Sequence, residues 1–369
     1  MKRTAFAPRG AVPPAVATRA GREHDAGGEA VAPGAAPPAV AGRRWGWRKW
    51  AAVAVASALS IACLGATVAV VAYSFRLTNP PEYLPLSREA GTTTEAVAAY
   101  RAQNPRTVHG LEFRDVEFPA TDGSTLHGWL VPGARASQQA GIVAAHARAG
   151  DRRDYLDQLG LFHALGATVL LLDYREHGVS DGNRRGMGLG HREAEDVTAA
   201  ARYLKEQGGV QRIAIVGHSL GGSAAILAAA RDATIDGVLA ESSIASFDDY
   251  VADLGDEWLG RRGIKGVRPA TATLGRMVVT FTAWRIGVPN LRAPIEVVQT
   301  IGSRPLVLVH GSEDMVVKPE HSRRLAAQAG RMADLWLAPG AGHNAAFETQ
   351  PDTYASKLAA LLTAVVDRE

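Results

Sequence analysis

The stretch "AIVGHSLGGSAA" carries a serine, Ser219, with a glycine two positions before it (Gly217) and another two after it (Gly221). The run before it reads as a buried strand and the run after it as a helix. At so tight a junction the central residue takes a strained backbone and flanking side chains would clash. The hydroxyl is then lifted clear of the sheet at the helix N-terminus. Such a serine is a candidate nucleophile. A hydroxyl attacks poorly at neutral pH, so it needs a base, and the base needs an orienting acid. Both occur downstream, in the order serine, acid, histidine that this kind of turn uses. "PLVLVHGSEDMVVKP" places Asp314 just past a strand, and "LWLAPGAGHN" places His343 on a glycine-rich loop. The chemistry these residues allow is acyl transfer. Ser219 attacks a carbonyl, His343 moves the proton, and Asp314 fixes the imidazole tautomer. Strand alternation points Glu313 elsewhere, and Glu241, at the end of "GVLAES", is the rival acid.

A tetrahedral intermediate needs two N–H donors for its oxyanion, and a misplaced donor costs on the order of 3 kcal/mol in barrier. Leu220, directly after the nucleophile, supplies the first. The second comes from the loop after "GIVAAHA", from Ala147 or Arg148. The other histidines of these segments read as structural. His218 packs beneath the turn, and His146, His177 and His310 hold loops at strand ends. They occur singly, without an i, i+4 partner or paired carboxylates, so neither a metal nor a cofactor is expected. "GNRRGMGLG" lacks the lysine and spacing of a phosphate loop and reads as a solvated turn. "GLGHREAEDV" reads as a helix start with its charges on the solvated face.

These residues need elements to hold them. "LEFRDVEF" and "TLHGWLVP" alternate apolar and polar side chains, as a hairpin at a sheet edge does. "GIVAAHA", "ATVLLLDY", "RIAIVGHS", "IDGVLAES" and "PLVLVHGS" are short, nearly continuous apolar runs, which suit parallel strands buried on both faces. Helical stretches intervene at Arg152–Leu165, Gly190–Lys205, Leu220–Arg231 and Pro319–Ala329, and "ADLWLAP" and "TYASKLAALLTAVV" close the series. The alternation implies an α/β fold with a doubly wound, mostly parallel sheet, whose site lies at the carboxyl ends of the strands.

The 369 residues are 47% hydrophobic and 21% charged, a globular balance. The net charge of +3 is uneven. Residues 1–50 hold nine basic and three acidic side chains, so residues 51–369 are net −3. The basic surplus therefore reads as a topology signal and not as nucleic-acid binding. Residues 1–42, rich in Ala, Pro, Gly and Arg, read as a disordered basic tail. Residues 43–75 read as a membrane anchor with its flanks. No charge occurs from Ala51 to Ala72, and at about 1.5 Å per residue that length matches a bilayer core of roughly 30 Å. Trp45, Trp47, Trp50 and Tyr73 flank the segment as interfacial anchors. Arg43, Arg44, Arg48 and Lys49 keep the N-terminus in the cytoplasm and the rest outside it. A cleaved signal peptide, with Val70 and Ala72 at the cleavage positions, is the alternative. Cys63 is the sole cysteine, so no disulfide forms within the chain, and Ser60 weakens a lipid-anchor reading. Residues 76–110 read as a stalk, with a helical pattern near Thr94–Ala102. Residues 111–369 form the catalytic domain, with a cap inserted at about 244–303.

From about Leu111 onward the chain resembles the alpha/beta-hydrolase superfamily in "GHSLGG", "HGSEDMVVKP", "GAGHN" and "DYREHGVSDG". The resemblance implies a Ser219–Asp314–His343 triad. It departs at the oxyanion loop, where the family's His-Gly is His146-Ala147-Arg148 here. More loosely, the chain is similar to membrane-anchored depalmitoylases, lysophospholipases and monoacylglycerol lipases, and to bacterial serine aminopeptidase-like proteins. The leading expectation is hydrolysis of an acyl ester or thioester of lipid-like character. A peptidase would use the acidic run Asp248, Asp249, Asp253, Asp256 and Glu257 to hold a free amine. A non-catalytic anchored binding protein is the reading from another class. Trp258, Met277, Phe281 and Trp284 either line an acyl pocket, touch a membrane or form the cap core.

Overall fold

The computed structural model describes residues 46–79, 102–134, 140–182, 185–288 and 290–368. The expected tail over 1–42 and most of the helical pattern near Thr94–Ala102 lie outside them. The first unit of the chain, Met1–Ala56, is described only from residue 46, where it is an exposed helix. All contacts below belong to the second unit, Ser57–Glu369.

Eight strands form one sheet: β1 (Arg114–Pro119), β2 (Thr125–Val131), β3 (Ala140–Ala145), β4 (Thr168–Asp173), β5 (Arg212–His218), β6 (Gly237–Glu241), β7 (Leu306–Gly311) and β8 (Ala333–Ala338). Their order is β1-β2-β4-β3-β5-β6-β7-β8. β1 and β2 pair antiparallel, β2 runs antiparallel to β4, and every other pairing is parallel. The longer helices are α1 (Trp47–Thr78), α2 (Leu156–Ala164), α3 (His191–Gln207), α4 (Leu220–Arg231), α5 (Phe247–Gly260), α6 (Arg268–Ile286), α7 (Glu320–Ala329) and α8 (Pro351–Val366).

The period-2 direction of strand side chains builds two cores. In β5, Ile213 and Ile215 face one side with Val197 and Leu204 of α3 and Ile226 of α4. Ala214 and Val216 face the other, with Leu159 and Phe162 of α2 and Leu358 and Leu361 of α8. Helices thus cover both faces, the doubly wound α/β arrangement. The antiparallel pair sits at the sheet edge, as the alternation of β1 and β2 requires.

Two local expectations are overturned. The charges of "GLGHREAEDV" are not solvated: Arg192, Glu193 and Asp196 are all buried. The loop after β4 folds over the start of α3 and brings its own polar groups. The Glu193 carboxylate accepts the Gly188 and Gly190 N–H groups at 2.6 and 2.8 Å. Asp196 accepts the Arg175 N–H and Nε–H at 2.9 and 2.7 Å. Nor is "GNRRGMGLG" simply a solvated turn, because Met187 and Leu189 are buried within it.

Between β6 and β7 the insertion forms α5, α6 and two short turns. Ser246 caps α5, with Asp248 and Asp249 in the first turn, where acidic groups favour the helix dipole. Most of the acidic run is paired with cations. Arg268 reaches Asp253 and Asp256 at 2.6 and 3.1 Å, Arg324 reaches Asp249 at 2.7 Å, and Lys318 reaches Asp253 at 3.1 Å.

α1 spans 32 residues with a mean hydropathy of 2.2 over its most apolar window, long and apolar enough to cross a membrane. It does not stop at Ala72. Its last turns lie on the insertion, burying Val70, Ser74, Leu77 and Thr78. Arg285 of α6 donates from Nε to Ser74 Oγ at 3.0 Å and from Nη2 to the Ser74 carbonyl at 3.2 Å.

Candidate active site

Ser219 joins β5 to α4 at φ 55°, ψ −112°, a backbone conformation costly for a side-chain-bearing residue. Its glycine neighbours are steric necessities. A Cβ on Gly217 would lie 2.4 Å from the Gly221 carbonyl oxygen, and one on Gly221 would lie 1.9 Å from that of Ala145. The Ser219 N–H donates to the Glu241 carbonyl at 2.8 Å, which ties the turn to β6.

His343 follows β8, and its Nδ1–H donates to Asp314 Oδ2 at 2.8 Å. Asp314 follows β7 and is buried. Its Oδ1 accepts the Val316 and Val317 N–H groups, both at 2.9 Å. His310 Nε2–H donates to the Val317 carbonyl at 2.8 Å and faces Asp314 Oδ2 at 3.2 Å. Burial works to raise the Asp314 carboxyl. The hydrogen bonds from His310, His343 and Val317 outweigh it and hold the group below the usual carboxylate range. A carboxylate facing Nδ1 places the histidine proton there and leaves Nε2 with its lone pair.

Ser219 and His343 line one cavity of about 250 Å³, together with Leu220, Ala147, Arg148 and Asn344. No hydrogen bond joins the Ser219 hydroxyl to His343 among the described residues, and such bonds commonly tighten only around a held substrate. Glu241 is brought elsewhere. It is fully buried, its Oε1 accepts the Ala346 N–H at 2.9 Å, and its Oε2 lies 3.4 Å from His218 Nε2. His218 packs under the turn against Tyr155, with ring centroids 4.3 Å apart. Glu313 is exposed.

The two candidates for the second oxyanion donor differ. The Ala147 N–H is already directed at Asp154 Oδ2, 3.2 Å away. The Arg148 N–H has no acceptor among the described residues, and neither has that of Leu220, the first residue of α4. His146 shapes this loop. Its Nδ1–H donates to the Ala147 carbonyl at 2.8 Å and its Nε2 accepts the Tyr174 N–H at 3.3 Å. Burial first, and the neighbouring His177 second, push the His146 imidazole down to about 3. It stays neutral through the neutral range and keeps both bonds.

The cavity walls hold residues that sequence reasoning missed: Leu77, Met187, Leu189, Phe247 and Tyr250. Leu77 comes from α1. Arg148 Nη1 donates to the carbonyls of Arg76 and Leu77 at 3.3 and 3.5 Å, a cation at a helix C-terminus where the dipole favours it. The four bulky insertion residues do not line this cavity. Trp258 is exposed, with the Arg262 guanidinium 3.7 Å over its ring. Met277, Phe281 and Trp284 line a different cleft, against α1. Among the described residues no cluster of three or more His, Cys, Asp or Glu could hold a metal ion.

Comparison with known proteins agrees with this fold. An uncharacterized protein of Mycobacterium tuberculosis is 30% identical over 233 residues, 63% of this chain and 72% of that one. The uncharacterized protein YfhR of Escherichia coli O157:H7 is 26% identical over 249 residues, 66% of this chain and 78% of its own. Among solved structures, the Pyrococcus furiosus esterase Pf2001 superposes with a TM-score of 0.57 at 21% identity, covering 72% of this chain and 95% of that one. The family model of the alpha/beta hydrolase family matches residues 126–357, which include the turn at Ser219, the Asp314 loop and His343, and the chain belongs to that family.

Proposed function

We propose that this protein is a membrane-anchored serine hydrolase that cleaves carboxylic esters or thioesters through an acyl-enzyme on Ser219. The observation that carries the reading is that Ser219 opens into the same cavity as His343, whose imidazole Asp314 orients. His343 Nε2 takes the Ser219 proton as the hydroxyl attacks the acyl carbonyl. It gives that proton to the leaving alcohol or thiol, then activates water to release the acid. The Leu220 and Arg148 N–H groups receive the oxyanion.

The wall chemistry favours an ester over a peptide with a free amine. Among the described residues no carboxylate lines the cavity, and Arg148 is the lining residue that carries a fixed charge. Three acids of the run that would have held an amine, Asp249, Asp253 and Asp256, are paired with Arg268, Lys318 and Arg324 instead. The resemblance to an esterase of known structure is consistent with this preference. α1 serves as an uncleaved anchor: it runs as one helix through Val70 and Ala72, the cleavage positions, and a cut there would remove Val70, which is buried in a cluster with Val278 and Val279 of α6. The basic flank keeps the N-terminus in the cytoplasm and the catalytic domain outside it.

The test is a panel of p-nitrophenyl esters of graded chain length beside aminoacyl amides, with the full chain. Ester turnover without amide turnover supports the reading. Amide turnover exceeding ester turnover would replace it with the peptidase.

A further inference from the structure

α1 and α6 enclose an open cleft of about 690 Å³, lined by Thr67, Val70 and Val71 on one side and by Thr273, Arg276, Met277, Thr280, Phe281 and Trp284 on the other. The lining of α6 falls on a single helical face, with spacings of three, four and seven residues. The opposite face of α6 is already buried, through Val278, Val279 and Ile286. Met277 and Trp284 remain 50% and 75% exposed. Met277, Phe281 and Trp284 make the uncovered face largely apolar despite Arg276, whose long aliphatic stem can lie along such a surface, and a largely apolar face left uncovered calls for a second apolar environment.

Depth identifies that environment. The uncharged stretch of α1 ends at Ala72, and its outward side chains Leu59, Ile61, Leu64 and Val68 are exposed. Side chains that face Val70 and Val71 across a cleft sit at the same depth as the last turn of that stretch. If α1 spans a bilayer, the Met277–Phe281–Trp284 face lies at its edge. We infer that α6 is a second membrane-seated element and that the cleft between it and α1 holds a lipid acyl chain. The inference rests on the anchored-hydrolase reading and gives it a substrate class. Leu77, a wall of the catalytic cavity, is five residues beyond Ala72, about 8 Å along the helix axis. The cavity therefore stands within one or two helical turns of the bilayer edge, and the substrate is an acyl lipid ester of that leaflet.

A polarity-sensitive fluorophore reads this directly. Full-length protein with Cys63→Ala is labelled singly at Trp284→Cys, at Trp258→Cys or at Leu59→Cys and reconstituted in phosphatidylcholine vesicles. Labels at 59 and 284 should be blue-shifted and quenched by brominated acyl chains, while the label at 258 should be quenched by aqueous iodide. A label at 284 as open to iodide as that at 258 overturns the inference. The label at 59 reports separately whether α1 inserts, and fluorophosphonate labelling of Ser219 in the same sample reports the hydrolase reading. A failure of either is thus distinguishable from a failure of the seated α6.

Discussion

His343 Nδ1 lies 2.8 Å from Asp314 Oδ2, although 29 residues separate them in the chain. The contact exists because β7 and β8 are parallel neighbours, so the loops at their carboxyl ends meet. Asp314 cannot turn away, since two backbone N–H groups hold its other oxygen.

Asp314→Asn should therefore keep the fold and lower kcat for a short ester by about 10³–10⁴-fold, because the amide favours the wrong imidazole tautomer. Glu241→Gln should act mainly on stability, since Glu241 touches Ala346 and His218 and not His343. Steady-state kinetics and thermal melting of both variants separate the two. A larger kcat loss in Glu241→Gln would reassign the acid.

Leu77→Ala tests whether the end of α1 belongs to the site. Leu77 is 3% exposed and shares a cluster with Leu220, Phe247 and Tyr250. Truncation should cost about 2–5 kcal/mol in unfolding free energy and raise KM for medium-chain esters. Unchanged denaturant midpoint and KM would mean that α1 is only a tether. For the same reason, a chain that begins after Leu77 should melt lower than the full-length protein.

Acid should loosen the loop after β3 before it reaches the Asp314–His343 pair. The unfolded chain binds a proton on His146 near the ordinary imidazole value of about 6.5, the folded one only at about 3. Between those values the unfolded state holds more protons, so stability falls as pH falls through that window. For this one group the loss at pH 5 relative to pH 7.5 is about 2 kcal/mol. Urea midpoints across pH 7.5 to 5 should fall more steeply in the native protein than in His146→Gln. Equal slopes would contradict the assignment.

What was legible in the sequence follows from how local each signal is. The strands were readable because each is a short apolar run between turn residues, and α4 falls on Leu220–Arg231 as its sequence pattern marked it. The serine turn was readable because the strand and helix runs on either side of it are local and Gly217 answers to Gly221, four residues on, although Gly221 itself answers to the Ala145 carbonyl at the end of β3. The cavity walls were not. Leu77 reads as the tail of an anchor, and nothing local signals that it folds back beside Leu220. Met187 and Leu189 sit in a glycine-rich stretch whose burial depends on α1 and α5. The charges of Glu193 and Asp196 misled for a similar reason, since their partners, Gly188 and Arg175, come from the loop after β4. That the Ala147 N–H is directed at Asp154, seven residues away, no spacing rule marks.

The most direct measurement is active-site labelling of the full-length protein with a fluorophosphonate, followed by mass mapping of the adduct and ester kinetics of Ser219→Ala. The account predicts a single stoichiometric adduct on Ser219 and a fall in kcat of about 10⁶-fold in the variant. An unlabelled Ser219 in folded protein, or ester turnover in Ser219→Ala comparable with that of the native chain, would contradict it.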